Sequence, residues 1–217
     1  MAAGKARKPN KAQDQKPANV WDPLPRLRDG NKTTEEIYVE VGRALAAWEH
    51  LEIFLAAAFV VLIKGRGDGA RRAYGYVQSF RGRQELISGA IESLDDQELE
   101  AVLRLKAILA EVRQFNARRN EIAHGLTVEK WETDKDGSRK NVQFWWVPAI
   151  YNSPKMLPLG AFQKKLFAVG DWEAAWNLQY KFLYTAEQIA YYRSHFDRLC
   201  HQGLIPLIPD LQKMLPD

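Results

Sequence analysis

The segment Arg118–Leu126, RRNEIAHGL, lies where the pattern of this chain changes from helix to strand. Before it, apolar residues recur at three- and four-residue steps, which is the period of an α-helix. After it, short β-prone runs begin. Because the segment also places an arginine, an asparagine and a histidine just before Gly125, it is both a helix end and a candidate functional cluster.

The helix that ends in this segment carries one apolar stripe. It is predicted to begin at Asp95 or Asp96, either of which can cap it, and to end at His124 with Gly125 as the C′ residue. The stripe comprises Leu99, Val102, Leu103, Ile108, Leu109, Val112, Phe115 and Ile122. Arg119 falls on the same stripe, and because an unpaired buried charge is unstable, it must pair with an acid or reach a cleft.

Further helices are predicted on both sides of this one. They cover about 33–64, 70–79, 83–93 and 185–202. Thr33 and Glu36 fit a capping box at the start of the first helix. Thr185 and Gln188 fit another at the start of the last helix.

A small β insertion is expected at about 126–183, before the last helix. Three β-prone runs lie there: Leu126–Trp131, Val142–Val147 and Leu178–Leu183. The pair Asp136-Gly137 between the first two runs favours a tight hairpin turn. The predicted fold is therefore mainly α, a bundle of four to five helices with a β-hairpin or meander inserted before the last helix.

The net charge of +4 comes from the N-terminal segment. Residues 1–30 hold seven basic and three acidic residues, and the remaining 24 basic and 24 acidic residues cancel. A neutral body does not indicate a broad nucleic-acid-binding surface. The tail either makes salt-sensitive contacts to phosphates or serves as a solubilising leader. We predict a disordered basic tail at 1–31, one helical-bundle domain at 32–205 and a C-terminal tail at 206–217.

Targeting signals and metal ligands are sparse. In a signal peptide an apolar region follows the N-terminal charges, and this sequence has no such region there. The longest apolar run, Leu55–Ile63, is far shorter than the roughly 20 residues that span a bilayer. Cys200 is the single cysteine, so no disulfide forms within one chain. We expect a cytoplasmic protein without a membrane anchor, metal or cofactor.

Arg119, Asn120 and His124 form the pattern R-N-x-x-x-H, which resembles the R-x4–6-H motif of the HEPN superfamily. In that motif the residue after the arginine is commonly Asn, Asp or His, and the apolar-small-His-Gly ending is often seen. HEPN domains are bundles of four to five helices with the motif near the end of a long late helix. The resemblance covers about 33–125 and 185–203.

The resemblance implies a metal-independent endoribonuclease of the kind found among toxins and antiviral effectors. It also implies a homodimer in which two motif helices form one cleft, with a cognate antitoxin protein as a further partner. By the resemblance, His124 would activate the RNA 2′-OH or protonate the leaving oxygen, and Arg119 would stabilise the phosphate charge. Asn120 would orient His124 or a phosphate oxygen, and the product would end in a 2′,3′-cyclic phosphate.

The residues leave the geometry of this cluster open. Asn120 and His124 share a helix face, whereas Arg119 lies about 140° around the helix from His124. Either the long arginine side chain bridges that gap or two copies of the helix pool their groups. Glu52 interrupts the apolar stripe of the first helix and is predicted to support the site by pairing with Arg119. Glu49 is equally close in sequence.

A structural interpretation stands beside the catalytic one. Arg119, Glu52 and His124 could form an ion pair and a helix cap that only hold helices together. The alternative function is a non-catalytic HEPN-like dimerisation or protein-interaction module, acting through the Trp-rich insertion. Arg118 and Glu121 are predicted to be ordinary surface charges.

Two further sets of residues bear on RNA binding. An RNase cleft needs local positive charge, and the arginines able to supply it are Arg71, Arg72, Arg81, Arg83, Arg113 and Arg118. The tryptophans in or near the insertion are Trp131, Trp145, Trp146, Trp172 and Trp176. We expect these to form a small core of the insertion rather than to stack on bases.

Overall fold

The computed structural model describes residues 29–65, 68–148 and 183–214. Within them the chain is mainly helical, with one two-stranded antiparallel hairpin, as the sequence predicts. The elements in chain order are α1 Thr34–Leu62, α2 Gly69–Tyr76, α3 Phe80–Glu92, α4 Glu100–Ala123, β1 Gly125–Thr133, β2 Arg139–Pro148, α5 Ala186–Arg198 and α6 Ile205–Met214. A π-helical segment, Leu199–Leu204, joins α5 to α6.

α1 is the central helix, since it contacts every other helix of the bundle. Its N-cap is Thr33, as predicted, and the Thr33 hydroxyl accepts a hydrogen bond from the Glu36 amide at 3.4 Å. The Glu36 carboxylate accepts a hydrogen bond from the Asn31 side chain at 2.8 Å, whereas the predicted capping box would direct it to the Thr33 amide. Trp48 on α1 is fully buried and packs against Phe80 and Phe196 at ring-centroid distances of 5.0 and 5.1 Å. Because truncating a buried aromatic residue to alanine costs about 3–5 kcal/mol, this cluster is a major source of stability.

The apolar character of α1 extends beyond the uninterrupted run Leu55–Ile63. By length and composition alone, α1 could cross a membrane, and half of its most apolar part is buried inside the protein. The core helix of a globular domain has the same composition, so α1 does not assign the protein to a compartment.

α4 begins later than predicted and ends where predicted. Its first residue is Glu100, and no side chain caps it. The Asp96 carboxylate instead accepts a hydrogen bond from the Glu98 amide at 2.9 Å in the turn before the helix, so capping by Asp95 or Asp96 is corrected. At the other end His124 is the C-cap, and its amide donates to the carbonyl four residues back at 3.0 Å.

Gly125 joins α4 to β1 for a reason other than the predicted one. The sequence favours a left-handed C′ glycine here, but among the described residues Gly137 is the only glycine with positive φ. A Cβ atom on Gly125 would lie 2.7 Å from the Val147 carbonyl oxygen and would also overlap the Trp146 indole. The residue here has no room for a side chain, because β2 packs closely against the end of α4.

The hairpin forms as predicted around Asp136-Gly137, with Gly137 at a φ of +83°. Glycine adopts this left-handed backbone conformation without the steric cost that other residues have. The predicted third strand at Leu178–Leu183 lies outside the described residues except for its last position. Just after it, Tyr184 forms an isolated antiparallel bridge with Trp146 of β2.

Asn31, at the end of the predicted disordered tail, belongs to the folded structure. Its backbone exchanges two hydrogen bonds with Phe144 of β2, at 2.9 and 2.8 Å. Its side-chain oxygen accepts a hydrogen bond from the Ala186 amide at 2.8 Å, which ties the start of α5 to the sheet. Residues 1–28 lie outside the described part of the chain, so their disorder stays a prediction.

The helical structure continues past the predicted C-terminal limit. α5 begins at the predicted capping box, but the chain after 205 forms α6 rather than a tail, with Leu207 and Leu211 fully buried. Gly203 and two prolines are typical of a helix end. The helix nonetheless continues from the π-helical segment, with the Ile205 amide donating to the Cys200 carbonyl, and it includes Pro209 in its interior.

Candidate functional site

Arg118 and Arg119, adjacent at the end of α4, differ from the predicted arrangement. Arg118 is only 4% exposed, whereas the Arg119 side chain is 26% exposed. The prediction of Arg118 as a surface charge is therefore wrong. The aliphatic part of the Arg119 side chain lies on the apolar stripe, since the Arg119 Nε atom is buried and has no hydrogen-bond partner among the described residues.

Arg118 belongs to a buried network that joins α4 to the residues before α5. Its Nη1 atom lies 2.7 Å from Glu121 Oε2 and donates a 2.7 Å hydrogen bond to the Tyr184 hydroxyl. The Tyr184 hydroxyl in turn donates to the Glu121 carboxylate. Trp146 Nε1 donates to the Glu121 carbonyl at 3.1 Å, which brings β2 into the network. Glu121 is therefore also not the surface charge that the sequence predicts.

The pKa values of both Tyr184 and Arg118 are raised in this network. Burial raises the pKa of Tyr184 well above its usual value, and the Glu121 carboxylate raises it further. Desolvation opposes the charge of Arg118, but the Tyr184 and Glu121 oxygens outweigh it, so the pKa of Arg118 is raised. Burial thus keeps the Tyr184 phenol neutral beside the Arg118–Glu121 ion pair.

Glu52 does not pair with Arg119, which corrects its predicted supporting role. Its buried carboxylate accepts a hydrogen bond from Trp48 Nε1 at 2.8 Å and another from Arg83 Nη1. Arg83 also donates through Nε to the Val77 carbonyl at 2.9 Å. Glu52 therefore fixes the start of α3 against α1.

Glu49 is the carboxylate that approaches Arg119. Its Oε1 atom lies 3.7 Å from Arg119 Nη2, and the Glu49 side chain is 63% exposed. Exposed pairs of this kind contribute about 0–1 kcal/mol. The Arg119 guanidinium is therefore held loosely enough for a stronger anion to displace the carboxylate.

Asn120 and His124 are exposed on the last turn of α4, on one face as predicted. Arg119 Nη1 donates to Asn120 Oδ1 at 3.2 Å, and the His124 amide donates to the Asn120 carbonyl at 3.0 Å. Asn120 thus links the other two motif residues. No side-chain hydrogen bond of His124 occurs within the described ranges, so its ring can accept or donate a proton to a ligand.

The arrangement suits chemistry at a phosphodiester. An accessible imidazole can act as a general acid or a general base, and a guanidinium binds two phosphate oxygens at once. Nowhere in 29–65, 68–148 or 183–214 do three or more His, Cys, Asp or Glu side chains gather in a way that could hold a metal ion.

The three described tryptophans of the insertion lie on the hairpin. Trp145 is buried in a small apolar cluster of the hairpin, as predicted, whereas Trp146 joins the main core. Trp131 is covered on one face by the Arg139 guanidinium, 3.9 Å from the ring centroid. Trp172 and Trp176 lie outside the described residues.

Helical spacing alone does not show which of the two arginines, Arg118 or Arg119, is buried. Phe115, Arg118 and Ile122 are separated by three and four residues, so Arg118 fits the apolar stripe as well as Arg119 does. Which side of α4 is buried depends on where β2 and α5 pack, and the spacing within α4 does not specify that packing.

Comparison with protein-family models, with curated proteins and with solved structures found no match to this chain. The HEPN resemblance therefore rests on the pattern of Arg119, Asn120 and His124 and on its position at the end of α4.

Proposed function

We propose that this chain is a metal-independent endoribonuclease of HEPN type, acting in the cytoplasm as a toxin or antiviral defence effector. The observation that carries the proposal is the division of the segment Arg118–Leu126 into a buried part and an accessible part. Arg118 and Glu121 are committed to a buried network, while Arg119, Asn120 and His124 are accessible at the helix end. The accessible side chains are those to which the HEPN resemblance assigns catalytic roles.

In the proposed reaction His124 takes the proton of a ribose 2′-OH as that oxygen attacks the adjacent phosphorus. The bond from phosphorus to the 5′ oxygen breaks, and the leaving oxygen receives a proton from the imidazolium of a second copy. The RNA on one side then ends in a 2′,3′-cyclic phosphate and the other side begins with a 5′-OH. General acid–base catalysis of this kind contributes about 10²–10⁴-fold.

Arg119 is suited to stabilise the charge that develops on the phosphate. Its partly buried stem limits its movement, and its contact with Glu49 at 3.7 Å is weak. A phosphate that makes two charge-assisted hydrogen bonds is a stronger partner than this exposed carboxylate. Asn120 Oδ1 already accepts a hydrogen bond from Arg119 Nη1 at 3.2 Å, and Asn120 lies on the same helix face as His124.

A homodimer through the C-terminal half of α4 supplies the second imidazole. Each chain presents one accessible His124, and the mechanism uses one base and one acid. We expect light scattering to show a dimer and the specific activity to fall on dilution below its dissociation constant. A cognate antitoxin protein would cover the same surface.

The test is cleavage of end-labelled single-stranded RNA in excess EDTA, with the product ends identified by mass spectrometry. His124→Ala should reduce the cleavage rate by about 10²-fold or more. His201→Ala is the matched control, because His201 is also exposed but lies on the π-helical segment. Both variants should melt close to the wild type. Cleavage by His124→Ala at the wild-type rate, or no cleavage by folded wild-type protein, would overturn the proposal.

A second candidate is a non-catalytic dimerisation or interaction module. Its support is Leu126, which is 58% exposed directly after the motif and offers an apolar contact to a second chain. If RNA is not cut, if His124→Ala still dimerises and if Leu126→Asp does not, this second function is the better account.

A further inference from the structure

Among the residues that the structure describes, Arg113 is an exposed cation without an acidic partner. Within the described ranges, every arginine lies within 4.0 Å of a carboxylate except three: Arg71, Arg72 and Arg113. Of these three, only Arg113 is on α4. An arginine whose charge the protein leaves uncompensated is a candidate contact for an external anion.

The position of Arg113 aligns it with the accessible part of the motif. Arg113, Asn120 and His124 are separated by seven and four residues, so they lie on one face of α4. All three are exposed. At about 1.5 Å per residue, Arg113 lies roughly 16 Å along the helix axis from His124.

Gln84 of α3 fixes the Arg113 side chain. Gln84 is 3% exposed, its Nε2 donates to the Leu109 carbonyl at 3.4 Å, and its Oε1 accepts from Arg113 Nε at 3.4 Å. A buried amide with both ends engaged has little freedom to move. Because Arg113 Nε is engaged, the four N–H groups of Nη1 and Nη2 remain for a ligand.

We propose that Arg113 binds a backbone phosphate of single-stranded RNA at a nucleotide other than the one cleaved. A separation of roughly 16 Å exceeds the rise of about 3.4 Å per nucleotide of a stacked strand, so Arg113 and His124 meet different phosphates. A guanidinium recognises phosphate without reading the base. Arg113 is thus a positioning residue that aligns RNA along α4. This inference rests on the proposed ribonuclease function.

The first test is the salt dependence of RNA binding. The probe is a fluorescent RNA of about ten nucleotides, longer than the roughly five that cover 16 Å at about 3.4 Å each. The full chain carrying His124→Ala binds it without cutting. Adding Arg113→Ala should reduce the slope of log K against log salt concentration by about 0.7, the share of one phosphate contact on a single strand. Arg113→Lys should keep the slope, because it keeps the charge.

Arg104→Ala is the matched control. Arg104 is nine residues before Arg113 on α4, which places it on the opposite face, and it pairs with Asp210 at 3.0 Å. Its removal should leave the slope unchanged. An equal loss of slope in both variants would show a non-specific effect of net charge and would overturn the assignment.

Kinetics separate this inference from the proposed function. With His124 intact, Arg113→Ala should raise KM for the long RNA with little change in kcat, and should cut a dinucleotide as fast as the wild type. If His124→Ala abolishes cutting but Arg113→Ala changes neither KM nor the salt slope, the inference fails and the ribonuclease function stands. If the salt slope depends on Arg113 but no RNA is cut, phosphate binding by Arg113 stands and the ribonuclease function fails.

Discussion

Arg118 Nη1 and Glu121 Oε2 lie 2.7 Å apart inside the protein, one helical turn along α4. The pair occupies the space between α4, β2 and the start of α5, where Tyr184 completes its hydrogen bonds. Arg119, the next residue of the helix, points about 100° away from Arg118 and is 26% exposed. The buried ion pair thus holds the helix end on which the proposed site lies.

Replacing the two arginines should therefore have opposite effects on stability and activity. Arg118→Met leaves Glu121 without its buried partner and should lower the free energy of unfolding by about 3–5 kcal/mol. Arg119→Met breaks a weak exposed pair and should change the free energy of unfolding by about 1 kcal/mol or less. Under the ribonuclease proposal, Arg119→Met should also reduce RNA cleavage. Urea unfolding monitored by circular dichroism measures both changes in stability. Equal losses of stability would contradict the assigned environments.

The two glutamates of α1 should differ in the same way. Glu52→Ala leaves the Trp48 indole and the Arg83 guanidinium without their shared acceptor, which should destabilise the fold by about 2 kcal/mol or more. Glu49→Gln should alter stability by less than about 0.5 kcal/mol, as surface substitutions usually do. It should also lower KM for RNA, because the carboxylate no longer competes for Arg119. A stability loss in Glu49→Gln as large as in Glu52→Ala would contradict this account.

Local chemistry predicts the fold better than it predicts the site. Thr33 caps α1 and Thr185 caps α5 through contacts within four residues of each, so the sequence alone locates these helix starts. The partner of Glu52 is Arg83, 31 residues away, and it is determined by how α3 packs on α1. Similarly, Arg118 and Arg119 both match the stripe of α4, and only the placement of β2 and α5 decides which is buried.

Stability should fall at alkaline pH, in part through Tyr184. Burial first, and then Glu121, raise its pKa well above the usual value of about 10. The unfolded tyrosine therefore ionises at a lower pH than the folded one. Its contribution is complete below about pH 10 and is lost as the pH rises through the pKa of the folded state.

Urea unfolding at several pH values between about 8 and 11 measures this dependence. Tyr184→Phe should make the alkaline decline shallower, and burial also raises the pKa of Tyr192, so part of the decline should persist. The control is Tyr76→Phe, since Tyr76 is largely exposed. A decline as steep in Tyr184→Phe as in the wild type would show that Tyr184 is not its source.

Gly125 and Gly42 provide a matched pair of glycine substitutions with opposite expected signs. A Cβ on Gly125 would overlap Trp146 and the Val147 carbonyl oxygen, whereas a Cβ on Gly42 meets nothing within 4 Å on the exposed side of α1. Gly125→Ala should lower stability by about 1–3 kcal/mol through overpacking. Gly42→Ala should raise it by about 0.4–1 kcal/mol through lower backbone entropy of the unfolded chain.

The activity of Gly125→Ala follows from the same contact. Trp146 donates to the Glu121 carbonyl one turn before His124, so moving the indole disturbs the end of α4. Under the ribonuclease proposal, Gly125→Ala should lose cleavage at temperatures where it is still folded, and its tryptophan fluorescence should differ from that of the wild type. Gly42→Ala should cut RNA normally. Full activity and unchanged fluorescence in folded Gly125→Ala would show that the indole does not position the helix end that carries His124.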